Sequence, residues 1–463
     1  MLFIHIATLM VLVRILTQEQ FGLMAMIVPI TSFVMLFNDM GLSTAVVQRE
    51  KITHAQVSGL FWINLGISGV LAALFTALAP VLAWFYAEPE LLNPTLVLSI
   101  NFLLSGFALQ HQGLLQRQMR FGVLARVNLA RTFVSGLAGV TAAAWGAGIW
   151  SLVIMPLVSN ICYGSLLWWV CRWRPARPAR QVGLKKLIVF GGDLTGMRVL
   201  HHFSTVIDKV LIGRFIGAVP LTLYDKAYAL LLVPIRQIHL PLTTMVVTTL
   251  SRLQDDIERF RLYFLKAFSL ITLITIPIIV YLIVMADEVV LLVLGQEWSE
   301  SAHIFRLLGF AGLIQPFYNA FSWLLISLGR TKRLLVWTVW WSLFTILSFV
   351  AGLLIGGIQE VALSFTISQY TLLGPGFLFV FVNSPLRVID LIRESSSALV
   401  AGAMIALLLL LFQYLWPDNA GVILQLIVSL ALMGTGYLAM LCVVTRSLHP
   451  LRELHSLWSD FKS

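Results

Sequence analysis

The chain has 463 residues, of which 59% are hydrophobic and only 11% charged, with a formal net charge of +10 and a mean hydropathy of +0.91. No soluble domain hides that much apolar surface, so a globular water-soluble protein is excluded. The positive charge is no nucleic-acid footprint either, because it falls in the gaps between apolar stretches.

A crossing of the hydrocarbon takes roughly 20 apolar residues, and about fourteen such stretches can be laid along the sequence. They run over 1–16, 23–47, 57–85, 94–115, 127–145, 151–171, 187–214, 222–250, 267–294, 303–328, 334–355, 361–382, 395–414 and 422–444. The fold class is therefore an all-α polytopic membrane protein, since helices satisfy their own backbone groups in lipid and the short alternation of a membrane barrel is absent. Arg14 interrupts the first stretch and no basic region precedes it, so it reads as a short first span and not as a cleaved signal peptide.

Basic residues occupy every second gap. Arg117, Arg120 and Arg126 follow the fourth span, Arg172 to Lys186 the sixth, and Arg330, Lys332 and Arg333 the tenth. The alternate gaps, such as 86–93 and 295–301, hold no Lys or Arg. By the positive-inside rule the basic gaps and both termini are cytoplasmic, which implies the inner membrane of a bacterium and contact with anionic lipids. Trp84, Trp145, Trp150, Trp298 and Trp416 fall at outer span ends, where interfacial anchors belong. Prolines inside spans, among them Pro29, Pro80, Pro234, Pro241, Pro277 and Pro316, remove helical donors. A packed kink and a hinge are equally consistent with them.

A weak internal repeat organises the chain. Arg14 to Met24 resembles Arg214 to Tyr224, and Ala79 to Leu91 resembles Ala286 to Trp298. Six spans separate the copies, which implies two parallel, pseudo-symmetric six-helix bundles. The expected domains are an N-terminal bundle over 1–171, a cytoplasmic linker over 172–186, a C-terminal bundle over 187–382, and two further helices with a cytoplasmic tail over 383–463.

Ionisable residues inside spans are costly unless paired or hydrated, so they mark function. In the seventh span Arg198, His201, His202, Thr205, Asp208 and Lys209 form one polar stripe. Asp208 and Lys209 fit either an internal pair or a hydrated cavity. Arg198, Arg236 and Arg306, with His202 and Lys209, are the candidates for binding an anionic substrate, because a guanidinium grips phosphate in bidentate fashion and never loses its charge. Asp39, Asp208 and Asp225 are candidates for ion coupling. Asn101, Gln110, Gln237, Gln315 and Asn319 suit sugar hydroxyls, although each alone suits an interhelical hydrogen bond. The spacing of Cys162, Cys171 and Cys442 offers neither a zinc motif nor an outward-facing disulfide pair, and no phosphate-binding GKS/T loop occurs. No cofactor, metal or catalytic group is expected.

Several segments together resemble a known family. They are Arg14-Ile-Leu-Thr-Gln-Glu-Gln-Phe-Gly-Leu, Asp39-Met-Gly-Leu-Ser-Thr-Ala-Val-Val-Gln-Arg49, Phe85-Tyr-Ala-Glu-Pro-Glu-Leu, Ile207-Asp-Lys-Val-Leu-Ile-Gly-Arg-Phe-Ile-Gly, Tyr224-Asp-Lys-Ala-Tyr and Leu294-Gly-Gln-Glu-Trp. In these the chain is similar to the polysaccharide repeat-unit flippases (Wzx-type, colanic-acid-exporter-like) of the multidrug/oligosaccharidyl-lipid/polysaccharide exporter superfamily. The resemblance implies a transporter and no enzyme. It further implies alternating access and a cargo of undecaprenyl-pyrophosphate-linked oligosaccharide destined for surface polysaccharide such as lipopolysaccharide or exopolysaccharide. A polysaccharide polymerase and glycosyltransferases would be its working partners. A peptidoglycan-precursor flippase and a multidrug or cation antiporter of the same superfamily are the alternatives, and the excess of in-span cations disfavours a cationic drug.

Overall fold

A computed structural model describes residues 2–39, 43, 46–47, 52–177, 206–417 and 421–445. The described residues are almost entirely helical. They comprise α1 (Leu2–Leu12), α2 (Gln18–Asp39), α3 (His54–Tyr86), α4 (Leu92–Leu98), α5 (Ile100–Arg117), α6 (Phe121–Ala144) and α7 (Ile149–Cys171). A helical stretch over 206–215, α8, follows. Then come α9 (Ala218–Arg252), α10 (Ile257–Val284), α11 (Ala286–Val293), α12 (Glu300–Gly312), α13 (Gln315–Ser327), α14 (Thr331–Ile355), α15 (Ile358–Phe381), α16 (Val388–Leu415) and α17 (Val422–Thr445). Eleven helices among the described residues are long and apolar enough to cross a membrane. The expected span at 303–328 is two helices, α12 and α13, broken at Leu313 and Ile314 just before Pro316. Proline tolerates the first turn of a helix but not its interior, so α13 restarts there.

Local chemistry sets the helix starts. Thr17 and Gln20 cap α2 reciprocally, the Thr17 hydroxyl accepting from Gln20 N at 3.3 Å and Gln20 Oε1 accepting from Thr17 N at 3.2 Å. Thr53 and Gln56 repeat that box at the start of α3. Asp256 opens α10 by accepting from Arg259 N at 3.1 Å. Left-handed glycines close turns where a side chain would be strained, notably Gly217 at φ +111° and Gly295 at φ +99°.

The sequence repeat has matching local structure. α2 starts at Gln18 and α9 at Ala218, and 3₁₀ turns stand at Pro89–Leu91 and Gln296–Trp298. Each of those turns leads into a pair of shorter helices, α4 with α5 and α12 with α13. Trp298 departs from its expectation as an interfacial anchor. The second turn carries it inward, where it is 1% exposed, whereas Trp84 and Trp145 stand at 79% and 88%.

By compactness the chain divides into two units, Met1–Thr222 and Leu223–Ser463. The division falls later than the expected linker because α8 packs on the first unit. A Cβ at Gly213 would lie 3.0 Å from Tyr86 and 3.2 Å from Met26. Residues 172–177 of that linker are also held by the first unit. Trp62 Nε1 donates to Ala176 O at 2.8 Å, Ala176 N donates to Ser58 Oγ at 3.0 Å, and His111 stacks on Trp168 at 4.4 Å beneath Trp173. In the second unit one core joins Phe260, Phe264, Phe268, Phe321 and Trp323, and a second joins α10 to α16 and α17 through Ile276, Ala401, Ile405 and Tyr437.

Candidate functional site

Among the described residues, each unit holds one cation near the middle of a membrane-spanning helix. In the first unit Arg131 lies half-buried on α6, its guanidinium 4.3 Å above the ring of Tyr163 on α7. In the second unit Arg236 lies midway along the 35-residue α9 and is exposed. No hydrogen bond, ion pair or ring contact of its guanidinium occurs among the described residues.

The exposed face of α9 runs through Arg236, Gln237, Leu240, Pro241, Thr244, Met245 and Thr248, at the spacing of one side of a helix. Four of those seven side chains are polar or charged. The opposite face is buried and carries Leu231, Ile235, His239, Val246 and Leu250. Pro241 has no N–H, so the carbonyl of Gln237 loses its helical donor and becomes a further acceptor on the exposed side. A charge at mid-membrane costs several kcal/mol against hydrocarbon, so this face requires water or an anion beside it.

A buried network fixes the rotation of the same segment. His239 Nε2 lies 3.0 Å from Thr275 Oγ1 on α10, and His239 Nδ1 lies 2.6 Å from Asn319 Nδ2 on α13. The Asn319 amide nitrogen also donates to Gln315 O at 3.0 Å. With Nδ1 accepting from an amide, the proton sits on Nε2 and is donated to the threonine, which makes His239 a neutral strut between three helices. Trp323 Nε1 donates to Thr243 Oγ1 at 3.0 Å one turn further along α9. His239 thus turns inward, and Arg236 and Gln237 are left on the outer face between Pro234 and Pro241.

The other expected site residues scatter. Arg198 and His202 lie outside the described residues. Lys209 and Asp208 stand on α8 in the first unit, Asp208 only 5% exposed. Arg306 on α12 is ion-paired with Asp287 on α11. Asp225 pairs with its neighbour Lys226 at 3.2 Å. Both carboxylate oxygens of Asp39 are taken by Ser43, from its backbone N at 2.9 Å and its hydroxyl at 2.6 Å. Gln237 shares the Arg236 face, whereas Gln315 and Asn319 serve the His239 network. Asn101 accepts from Asn160 Nδ2 at 3.0 Å in the first unit, and Gln110 is fully buried there. The residue that inspection of the sequence missed is His239, whose one signal was a second ionisable side chain, three residues after Arg236, between Pro234 and Pro241.

The family model for polysaccharide biosynthesis proteins matches residues 11–303 of this chain. The chain belongs to that family. Among the family's relatives, the teichuronic acid biosynthesis protein TuaB of Bacillus subtilis (strain 168) is 29% identical over 335 residues, covering 72% of this chain and 69% of its own. The succinoglycan biosynthesis transport protein ExoT of Rhizobium meliloti (strain 1021) is 24% identical over 450 residues, covering 96% of this chain and 90% of its own. In three dimensions the chain has the fold of the lipid II flippase MurJ in its inward closed conformation. The TM-score is 0.75 at 15% identity, over 96% of this chain and 97% of that one. This member of the polysaccharide biosynthesis family is thus a multi-pass, all-helical membrane protein.

Proposed function

We propose that this protein is a flippase that carries undecaprenyl-pyrophosphate-linked oligosaccharide repeat units across the bacterial inner membrane by alternating access, for surface polysaccharide biosynthesis. It moves its cargo without making or breaking a covalent bond. The observation that carries the reading is Arg236, a permanently charged and exposed group in the middle of a membrane-spanning helix, unpaired among the described residues. Such a group suits a negatively charged cargo that arrives and leaves. Gln237, Thr244 and Thr248 on the same face offer hydrogen bonds to phosphate or sugar oxygens. Arg198, His202, Lys209 and Arg306 are proposed as further cationic contacts, and Asp39, Asp208 or Asp225 as the group that takes a coupling ion.

Family membership supports polysaccharide precursors as the cargo, and a relative bearing the name of a transport protein supports movement over synthesis. The fold shared with a lipid II flippase keeps a peptidoglycan precursor as a second reading. A cationic drug fits poorly, because the bare in-span charge is itself a cation. The membrane orientation follows from the basic loops, with both termini in the cytoplasm and the linker of 172–186 joining two parallel bundles. Cysteines placed singly at Glu90 and Ser299 would then react with an impermeant reagent from the periplasm and one at Lys332 would not. Reversed labelling contradicts the direction of transport.

Complementation of an export-deficient strain at matched protein levels tests the anion contact. Removal of one charge-assisted contact costs about 1.5 to 3 kcal/mol, or roughly ten- to a hundredfold in binding. Arg236→Ala is expected to lose most glycan export, Arg236→Lys to recover part of it, and Arg177→Ala at the exposed cytoplasmic turn to export normally. Normal export by Arg236→Ala, or an equal loss in Arg177→Ala, removes the reading.

A further inference from the structure

We infer that the first unit carries a site for a zwitterionic membrane phospholipid, whose phosphate sits on Arg214 and whose ammonium group faces Glu88 and Glu90. A cavity of about 800 Å³ opens where α3 ends. Its walls are Pro80, Trp84 and Phe85 from the last turns of α3 and Pro89 and Leu92 from the turn beyond. Arg214, at the end of α8, is the charged residue of the lining. An apolar wall with a single cation selects an amphiphile that has an acidic head.

The position in the membrane fits a lipid. Trp84 is 79% exposed at the terminus of a spanning helix, the depth at which indoles meet headgroups. The guanidinium of Arg214 lies 5.7 Å from the centroid of the Phe85 ring. That contact orients the group without neutralising it. Arg214 is exposed and has no carboxylate partner among the described residues, so its fork is available to two phosphate oxygens.

The surrounding charges decide which lipid. Glu88 and Glu90 bracket Pro89 of the cavity wall, and neither forms an ion pair among the described residues. Two carboxylates in the turn that contributes Ala87 and Pro89 to the cavity wall disfavour a pyrophosphate, which carries several negative charges. They complement a phosphodiester followed by an ammonium, the headgroup of phosphatidylethanolamine. A lipid bound there would bridge the ends of α3 and α8, which already approach closely at Gly213 and Tyr86.

The test uses the full chain purified in detergent and offered phosphatidylethanolamine, phosphatidylglycerol or undecaprenyl pyrophosphate. Bound lipid is counted by native mass spectrometry and located by the quenching of Trp84 by brominated chains, with Trp84→Phe defining that residue's share of the signal. At the groove read by Trp84, brominated phosphatidylethanolamine should quench in preference to brominated phosphatidylglycerol, and undecaprenyl pyrophosphate should not displace it. Arg214→Gln should weaken it about tenfold or more, the worth of one charge-assisted contact, and Arg214→Lys less. Glu88→Gln with Glu90→Gln should let phosphatidylglycerol bind as well as phosphatidylethanolamine. Equal binding of the two phospholipids by the wild type, or unchanged binding in Arg214→Gln, overturns the site. Displacement of the brominated phospholipid from Trp84 by undecaprenyl pyrophosphate overturns it too and assigns the groove to the transported lipid. The transport reading is tested separately, by glycan export in Arg236→Ala, and a failure of the phospholipid site leaves that test unchanged.

Discussion

Arg131 and Arg236 pose the same physical problem in the two units, and the protein answers it differently. Both are permanently charged groups near the middle of membrane-spanning helices. Arg131 has an internal answer, the face of Tyr163 on the adjoining helix at 4.3 Å. Arg236 has none among the described residues, and the network around His239 keeps it on the exposed side of α9. A cation that serves packing is covered by its own protein, whereas one that serves a ligand is held ready and left uncovered. The contrast separates structural charges from functional ones more sharply than their positions in the sequence do.

Exchanging the two answers should produce effects of very different size. The largest is on export, where Arg236→Leu is expected to fall ten- to a hundredfold at matched protein levels, by the same charge-assisted contact as above. Arg131→Leu should stay within about twofold of wild type, because losing a covered, half-buried charge costs little when an apolar group fills its place. Similar losses in both variants would erase the distinction between the units. Next is the strut: Asn319→Leu leaves the acceptor of a buried histidine unsatisfied, at a cost of about 1 to 3 kcal/mol. Its thermal midpoint in detergent should drop, and His239→Leu combined with Asn319→Leu should destabilise less than the two single changes added together. Strict additivity in that cycle would show that the two side chains do not interact. The smallest effect belongs to Tyr163→Leu, expected to lower stability by about 0.5 to 2 kcal/mol through loss of the ring beneath Arg131. Tyr163→Phe should be nearly silent, and a large loss there would assign the stabilisation to the phenol hydroxyl instead.

The spans were legible because hydropathy over roughly 20 residues integrates many side chains. Every expected span that falls in described residues is largely helical, though 94–115, 267–294 and 303–328 are each broken, at Ser99, at Met285 and ahead of Pro316. The capping box at Thr53 and Gln56 and the repeat near Gln18 and Ala218 also had local signals. Pairing was not legible, because it depends on which helices become neighbours. Arg306 finds Asp287 across the turn that holds Trp298, and Arg131 finds Tyr163 on the next helix, each more than a dozen residues away. Asp39 finds its partner locally instead, since Ser43, one helical turn on, supplies two donors to it. His239 was overlooked because a histidine among leucines carries no spacing signal, and its partners Thr275 and Asn319 come from two other helices.

The central claim is that the Arg236 face of α9 meets water and an anionic lipid-linked sugar, and not hydrocarbon. With Cys162, Cys171 and Cys442 replaced by serine, Gln237→Cys should react with charged thiol reagents in membrane vesicles. The anionic reagent should be faster than the cationic one, this preference should vanish when Arg236→Ala is added, and lipid-linked oligosaccharide should slow the reaction. A thiol at 237 that is inert to both charged reagents and reacts only with an apolar maleimide would place this face in lipid and contradict the account.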